Sequence, residues 1–304
     1  MEFRIGIIGL GFVGGAMYDS FKSKELNVFG YDKYKISDSF EECLDSNILF
    51  LCLPTQFNEL TNEYDKGPIM ETCNKLEINS YNGIVVIKST IEPSTTSSLV
   101  KAYPMIKFLH NPEFLTAATA LEDFNNQHHI VLGKSESESI TDDDIEFLSL
   151  FYKKIFPNAE ISVCSALESE SMKIFLNCFY ATKIQFFNEI YCLCEKTGCD
   201  YKIVKNLMLK NNWINPMHTN VPGPDGNKSY GGYCFPKDTN ALLNHMLRYG
   251  VPCAVLEATI RERNIMRKDN INIQCQSVRT SPITQPNSEE DIVQTIDDMN
   301  FECD

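Results

Sequence analysis

The stretch that decides the fold is "RIGIIGLGFVGG", residues 4–15. A short apolar run leads into Gly9, Gly11 and Gly14, which have the spacing G-x-G-x-x-G and open a helical pattern. Glycines at this spacing permit a tight turn, close approach of a pyrophosphate to the backbone, and packing of the helix on the strand. The helix amino terminus then attracts the phosphate charge. The stretch therefore predicts a strand, a dinucleotide-binding turn and a helix.

The next apolar run ends at Asp32, where a carboxylate can hydrogen-bond a ribose diol. An acid at this place would repel a 2′-phosphate, which favours NAD over NADP. Lys33 and Lys35 lie nearby and weaken that discrimination. With Asp32 the fingerprint is complete, and NAD is the predicted cofactor.

Apolar runs continue to alternate with helical patterns as far as Cys164. This alternation predicts an α/β domain, a Rossmann-like doubly wound parallel sheet, over residues 1–164. Thr141 and Asp144 have capping-box spacing at the start of a predicted helix over 141–156. The candidate strands are 3–9, 27–32, 47–54, 83–90, 106–114, 129–133 and 160–164.

From Ser165 the pattern changes to one long helix, opened by Ser165 with Glu168 three residues on and closed by Gly198. Shorter helices are predicted near 200–211, 239–250 and 252–268, so residues 165–268 form a predicted all-helical central domain. We expect a homodimer through the long helix, residues 165–196, because it carries more aromatic side chains than one small domain can cover. These are Phe175, Phe179, Phe186, Phe187 and Tyr191.

Charge and hydropathy narrow the function classes. The formal net charge is −14, which argues against a general polyanion binder such as a nucleic-acid-binding protein. Residues 269–304 are acidic and aperiodic and are predicted to be a disordered tail. No apolar run has the length of a membrane span and the amino terminus does not resemble a signal peptide, so the protein is predicted to be cytoplasmic.

The 12 cysteines are scattered, with no C-x-x-C pair and no zinc-like Cys/His cluster, so no metal site is predicted. Most are expected to be core thiols, but Cys234 in "SYGGYCFPKD", residues 229–238, differs. A helix amino terminus and a neighbouring cation would stabilise its thiolate. Asp238 is expected to cap the helix over 239–250, and Gly231 and Gly232 to allow close approach of another backbone segment or of a ligand. A capped turn with an incidental thiol is the alternative.

Lys173 and Asn177 lie one turn apart on one face of the long helix. A cation beside an amide donor suits an oxyanion site, and their apolar neighbours suggest partial burial; a solvated polar stripe is the alternative. Candidate phosphate or sugar contacts, each also readable as a solvated loop residue, are His218, Lys228 and Lys237.

Five collinear blocks resemble the UDP-glucose 6-dehydrogenase and GDP-mannose dehydrogenase family. They are "GLGFVG" (9–14), "IKSTIEPST" (87–95), "HNPEFLTAATALEDF" (110–124), "ESMKIFLNCFYATKIQFFNEI" (170–190) and "SYGGYCFPKD" (229–238). The resemblance implies oxidation of the C6 alcohol of a nucleotide sugar, with UDP-glucose the expected one, to a carboxylate by two NAD molecules in turn. It also implies that Cys234 attacks the intermediate aldehyde to give a thiohemiacetal and then a thioester.

The same resemblance implies roles for individual residues. Lys173 and Asn177 match the oxyanion-stabilising pair, Asp238 the carboxylate that works with a bound water, Glu113 the acid of thioester hydrolysis, and Thr90 a residue that holds that water. The expected cofactor-binding set is Gly9, Gly11, Phe12, Val13, Gly14, Asp32, Pro54, Thr55 and Thr90. The expected substrate-binding set is Phe114, Leu115, Lys173, Asn177, Tyr230, Gly231 and Gly232.

Two departures from the family pattern leave other readings open. Ala117 stands where the family usually has a second glutamate, and too few residues follow Asp238 for the usual C-terminal UDP-binding domain. One alternative is a non-catalytic or partner-dependent binder of NAD and nucleotide sugar. Another is a two-domain hydroxyacid dehydrogenase, which would have no need of Cys234.

Overall fold

The structure is a computed structural model that describes residues 3–267. The predicted tail, 269–304, lies outside the described residues. Residues 3–267 belong to one compact unit, so the domain boundary between 164 and 165 stays a prediction. It coincides with the change from sheet to helices.

The described residues contain nine strands and ten α-helices. The strands are β1 (Arg4–Ile8), β2 (Asn27–Tyr31), β3 (Ile48–Leu51), β4 (Phe57–Asn58), β5 (Glu63–Tyr64), β6 (Ile84–Ile87), β7 (Lys107–His110), β8 (His129–Lys134) and β9 (Glu160–Ser165). The helices are α1 (Phe12–Ser23), α2 (Phe40–Leu44), α3 (Gly67–Ile78), α4 (Thr95–Ala102), α5 (Ala120–Asn125), α6 (Asp142–Ile155), α7 (Ala166–Thr197), α8 (Tyr201–Leu209), α9 (Cys234–Arg248) and α10 (Ala254–Met266).

Seven strands form one sheet in the order β2-β1-β3-β6-β7-β8-β9. The doubly wound α/β prediction is confirmed, with one correction: β8 runs antiparallel to β7, with Leu109 opposite Lys134. The connection between these strands contains only a 3₁₀ turn and the six-residue α5. A helix of six residues rises only about 9 Å, which is too little to return the chain to the other end of the sheet, so β8 starts near the end at which β7 stops.

Helices cover both faces of the sheet. On one face Phe21 of α1 and Phe151 of α6 pack against Phe50 of β3. On the other, Leu76 of α3 and Leu99 of α4 pack in a second cluster of buried side chains. A sheet buried on both faces explains why its strands read as continuous apolar runs.

The predicted ends of the long helix are confirmed. Ser165 accepts a hydrogen bond from the Glu168 amide while the Glu168 carboxylate accepts from the Ser165 amide, and Gly198 ends α7 with φ +77°. Thr141 and Asp144 cap α6 in the same reciprocal way. These caps are local, which is why spacing alone predicts them.

Glu170 fixes α7 against the amino terminus of α4. Its fully buried carboxylate accepts from the amides of Ser94, at 2.6 Å, and Thr96, at 2.7 Å, at the amino terminus of α4. The partial positive charge of that terminus and the two amide donors offset the cost of burying the acid. Glu170 is one turn before Lys173, so this contact also fixes the position of Lys173 and Asn177 relative to the amino terminus of α4.

Among residues 3–267, no helix combines the length and the apolar character that crossing a membrane requires.

Candidate active site

A cleft of about 680 Å³ opens at the carboxyl ends of the central strands. This edge is where α/β sheets of this type bind ligands. Predicted residues that line it come from both halves of the chain: Gly9, Gly11, Phe12, Val13, Asp32, Pro54, Thr55, Thr90, Glu113 and Cys234.

The three fingerprint glycines lie in different environments, so a side chain would be excluded at each for a different reason. Gly9 has φ +93°, and a Cβ there would lie 2.5 Å from the Cys52 carbonyl oxygen. A Cβ on Gly14 would lie 1.9 Å from the Gly9 carbonyl oxygen, so this glycine lets α1 pack on the turn. Gly11 has nothing within 4 Å of its Cβ position and lines the cleft. The open space at Gly11 fits a pyrophosphate held against the backbone.

Gly11→Ala and Gly14→Ala are expected to fail in different ways. Gly14→Ala drives a methyl into backbone and should lower the free energy of unfolding by about 3 kcal/mol or more. Gly11→Ala should change that free energy by less than about 1 kcal/mol but weaken NAD binding roughly tenfold or more, because the methyl occupies ligand space. Urea unfolding and calorimetry with NAD separate the two. Equal destabilisation by both substitutions would contradict the assignment of Gly11 to the ligand.

Asp32 follows β2 and faces the glycine turn. Its carboxylate accepts from the amides of Leu10, at 2.8 Å, and Tyr34, at 2.9 Å. Lys33 pairs with Glu71 at 3.2 Å and Lys35 contacts the Leu10 carbonyl oxygen. Both lysines therefore already have partners in this structure, and the role of Asp32 at the ribose stays a prediction.

Cys234 is the first residue of α9, so the helix begins earlier than the predicted range 239–250. Pro236 lies in the first turn, where its missing N–H leaves no helix hydrogen bond unmade. Burial, and then the charge of Asp238, raises the pKa of the Cys234 thiol, and Lys237 and Lys173 oppose this less strongly. The predicted effect of a neighbouring cation is therefore present, through Lys237 and Lys173, but burial and the Asp238 charge outweigh it, so the net shift destabilises the thiolate in this structure.

Asp238 is not the predicted helix cap. It lies in the second turn of α9 and is fully buried. Its Oδ1 accepts from the Tyr64 hydroxyl at 2.5 Å and from Lys237 Nζ at 2.6 Å, and its Oδ2 accepts from Asn177 Nδ2 at 2.6 Å. A buried carboxylate needs such donors, which a cap position at the surface would not have supplied.

Lys173 and Asn177 are both buried, so the solvated-stripe alternative is wrong. Lys173 Nζ donates to the Glu113 carbonyl oxygen at 2.5 Å and pairs with Glu113 Oε1 at 3.2 Å; both side chains are under 10% exposed, at 6% and 8%. Glu113 Oε2 accepts from the Leu115 amide at 2.6 Å. Each member of the predicted oxyanion pair thus holds one predicted catalytic acid.

Thr90 is buried at the end of the β6 segment, and its carbonyl oxygen accepts from the Thr55 hydroxyl at 2.7 Å. Lys88, two residues earlier, was missed by the sequence reasoning although it lines the cleft. It donates to Asn111 Oδ1 at 2.9 Å, and burial lowers its pKa to about 8. A lysine ending the buried run "IVVIK" was a signal that could have found it.

The predicted substrate-binding residues lie in different environments. The half-exposed Phe114 ring lies 5.2 Å from Lys173 Nζ. Tyr230 is buried beside Arg263, and the Arg267 guanidinium covers Gly231, where a Cβ would meet it at 2.3 Å. Gly232 has φ +76° and open space at its Cβ position. The roles of these residues in substrate binding stay predictions.

The three candidate phosphate or sugar contacts also differ in their surroundings. His218 packs between the rings of Tyr180 and Phe235, and Lys228 pairs with Glu195 at 2.8 Å. Lys237 alone among them lines the cleft.

Comparison with known proteins identifies the two halves. Residues 31–156 match the family model for the NAD binding domain of the UDP-glucose/GDP-mannose dehydrogenase family, which confirms NAD as the predicted cofactor. Residues 167–264 match the model for the central domain of the same family.

Curated relatives named UDP-glucose 6-dehydrogenase include one from Rickettsia bellii (strain RML369-C), 32% identical over 240 residues, or 76% of this chain and 53% of that protein. One from Campylobacter jejuni is 27% identical over 75% of this chain and 55% of that protein. The chain thus spans about half the length of these relatives.

Among solved structures, a UDP-glucose dehydrogenase from Pyrobaculum islandicum superposes with a TM-score of 0.75 at 24% identity, over 87% of this chain and 68% of that one. A Mycobacterium tuberculosis 3-hydroxyisobutyrate dehydrogenase superposes with a TM-score of 0.67 at 16% identity, over 86% and 92%. Such distant likeness speaks for the fold alone. The two family-model matches, one on each half of the described chain, carry the assignment: the chain belongs to the UDP-glucose/GDP-mannose dehydrogenase family.

Proposed function

We propose that this chain oxidises the C6 alcohol of a nucleotide sugar to the carboxylate with NAD, with UDP-glucose as the first substrate to test. The observation that carries the proposal is that Cys234 lines the same cleft as the glycine turn and Asp32. A nucleophile beside the cofactor site is what a reaction through a covalent adduct requires.

The NAD would be held by the β1–α1 turn at Gly9 to Gly14, by Asp32 at the ribose, and by the Pro54, Thr55 and Thr90 edge of the cleft. When bound, NAD accepts the hydride that the sugar carbon loses in each of the two oxidations. Gly11 leaves the room for its pyrophosphate.

Cys234 carries the covalent part. Its sulfur adds to the aldehyde carbon while the thiol proton is transferred to the carbonyl oxygen, which becomes the hydroxyl of a thiohemiacetal. Loss of the hydride on that carbon to a second NAD, with release of the hydroxyl proton to water, would give a thioester. Water then adds, the carbon–sulfur bond breaks, and the carboxylate and the Cys234 thiol are released. The adduct keeps the aldehyde from escaping between the two oxidations.

Lys173 and Asn177 retain donors for the substrate oxygen. The ammonium has three N–H groups, two of which meet the carbonyl and the carboxylate of Glu113. The Asn177 amide has two, one of which meets Asp238. One donor on each is left to stabilise an oxyanion.

Turnover tests the proposal. The purified chain is incubated with NAD and, separately, UDP-glucose, GDP-mannose and UDP-N-acetyl sugars, with NADH followed by absorbance and products by mass spectrometry. Two NADH per sugar acid would support it. Binding of NAD and a sugar without NADH would favour the non-catalytic or partner-dependent binder, which the raised pKa of Cys234 and Ala117 in the cleft both motivate.

A hydroxyacid dehydrogenase is a second candidate, because that fold also superposes over most of this chain. It would oxidise once and leave Cys234 idle. Oxidation of a small hydroxyacid with one NADH per product, and no reaction with any nucleotide sugar, would favour it.

We also propose the homodimer through α7. Apolar side chains along this helix remain about half exposed or more, namely Phe175, Phe179, Phe186 and Leu193. Phe179 is 62% exposed, and Phe179→Glu is expected to convert a dimer to a monomer in light scattering, because a charge would have to be buried at the interface. Trp213→Glu, at a side chain 90% exposed outside α7, is the control and should leave the mass unchanged. A monomeric unsubstituted chain would contradict the proposal.

A further inference from the structure

Tyr64 joins the two halves of the chain. It lies on β5, in the small β4–β5 hairpin, yet its ring belongs to a core cluster with Ile174 of α7 and Leu242 of α9. The residue is 2% exposed. The hairpin therefore reaches out of the dinucleotide-binding half and is anchored in the helical half.

The phenol of Tyr64 ends on the carboxylate of Asp238. Its hydroxyl donates to Oδ1 at 2.5 Å, and Lys237 Nζ, which donates to the same oxygen at 2.6 Å, lies 4.3 Å from the centre of the Tyr64 ring. Burial, and then the Asp238 charge, raises the pKa of Tyr64 well above its usual value. The phenol therefore keeps its proton and acts only as a donor in this contact.

The hairpin is also fixed at its outer side. Glu63, next to Tyr64, pairs with Arg248 at the end of α9 at 3.0 Å, and Phe57 lies opposite Tyr64 in the β4–β5 ladder. With the backbone held this way, the hydroxyl has little freedom to leave Asp238. Asn177 holds the other oxygen of the carboxylate, so both oxygens have fixed donors.

We propose that Tyr64 is a positioning residue of the Cys234 site, which orients the Asp238 carboxylate toward Asn177 and limits the negative charge that Asp238 presents to the thiol. The inference rests on the roles proposed for Cys234 and Asp238. Hydrogen bonds to a carboxylate partly neutralise its negative charge. A carboxylate that accepts more of them therefore raises the pKa of a nearby thiol less.

Several other charges face these groups. Cys234 faces Asp238 and Lys237 from its own helix, Lys173 from α7, and Glu113 from the segment after β7. The phenol of Tyr64 faces Cys178 and Glu92 besides Asp238. Asp238 and Lys237 are common to both, and Lys237 donates to the same Asp238 oxygen as Tyr64, so an effect of Tyr64 on the thiol is expected to pass through that carboxylate.

The test is the pH dependence of Cys234 alkylation by iodoacetamide in the full chain. Tryptic cleavage gives the peptide 229–237, "SYGGYCFPK", in which Cys234 is the only cysteine, so mass spectrometry reads this site alone. Tyr64→Phe removes the donor and keeps the ring. It is expected to raise the midpoint of the profile by about half a unit to one unit, which slows alkylation below the midpoint roughly three- to tenfold.

Two further variants distinguish positioning from a structural role. Tyr103→Phe removes a comparable hydroxyl, which donates to Asn74 at 2.8 Å in another buried site, and should leave the midpoint unchanged. In an Asp238→Asn background, Tyr64→Phe should also have no effect, because the charge through which it acts is gone. No shift in the native background, or the same shift in both backgrounds, would overturn the proposal.

Should Tyr64→Phe fail to fold, 3-fluorotyrosine placed at position 64 keeps the shape and makes a stronger donor. It is expected to lower the midpoint by a few tenths of a unit, and an unchanged or raised midpoint would count against the proposal. Neither sugar nor NAD is present in this reaction. A chain that oxidises no nucleotide sugar but shows these shifts would therefore refute the proposed function and keep the role of Tyr64.

Discussion

Cys234→Ser is expected to stop formation of the sugar acid, with a loss on the order of a thousandfold or more in the second oxidation. The hydroxyl of serine is a far weaker nucleophile, and the carboxylate of Asp238 is held by Tyr64, Lys237 and Asn177 rather than poised to deprotonate it. The first oxidation does not need the sulfur. NADH should therefore stop at one per sugar, and mass spectrometry should find the aldehyde or its hydrate.

A matched control uses another cysteine of the same half. Cys199 is exposed just after the end of α7, and Cys199→Ser should leave both NADH equivalents intact. If Cys234→Ser formed the acid at the rate of the unsubstituted chain, the covalent mechanism would be wrong. A dehydrogenase that forms no covalent adduct would then be favoured.

The parts of the fold that the sequence predicted well are those set by neighbours in the chain. The turn at Gly9 to Gly14, the reciprocal cap of Ser165 with Glu168 and the left-handed end at Gly198 each depend on a few adjacent residues. Spacing alone therefore predicted the strand, the turn and both ends of the long helix.

Features that depend on distant contacts were not predictable in this way. The direction of β8 follows from how α5 returns the chain, and the carboxylate of Asp238 meets Tyr64 across 174 positions of sequence. The thiol of Cys234 was expected to be stabilised as thiolate by the helix terminus. Burial in the folded chain, which no local pattern reports, raised its pKa instead.

Lys173 and Asn177 show how much of a site can be predicted from the spacing of residues within one helix. Its spacing to Asn177 placed both on one face, but their partners come from elsewhere: Glu113 follows β7, and Asp238 lies on α9. The structure thus turns a predicted pair of donors into two buried donor–acid pairs. Replacing one member of such a pair has consequences for both stability and chemistry.

Lys173→Met is expected to lower the free energy of unfolding by about 3–5 kcal/mol, because Glu113 would be left as a buried carboxylate without its cation. It should also reduce turnover on the order of a hundredfold or more by removing an oxyanion donor. Urea unfolding and steady-state NADH production measure the two losses. Lys183→Met, on the same helix and hydrogen-bonded to the Asn215 carbonyl oxygen at a more exposed position, is the control and should change neither strongly.

The double substitution Lys173→Met with Glu113→Gln separates stability from chemistry. Removing both charges leaves no unpaired ion in the core, so most of the lost free energy of unfolding should return. Turnover should not return, because the oxyanion donor and the acid proposed for thioester hydrolysis are both absent. If activity recovered together with stability, Lys173 would be a structural cation whose only duty is to neutralise Glu113, and the oxyanion would have to be held by Asn177 alone.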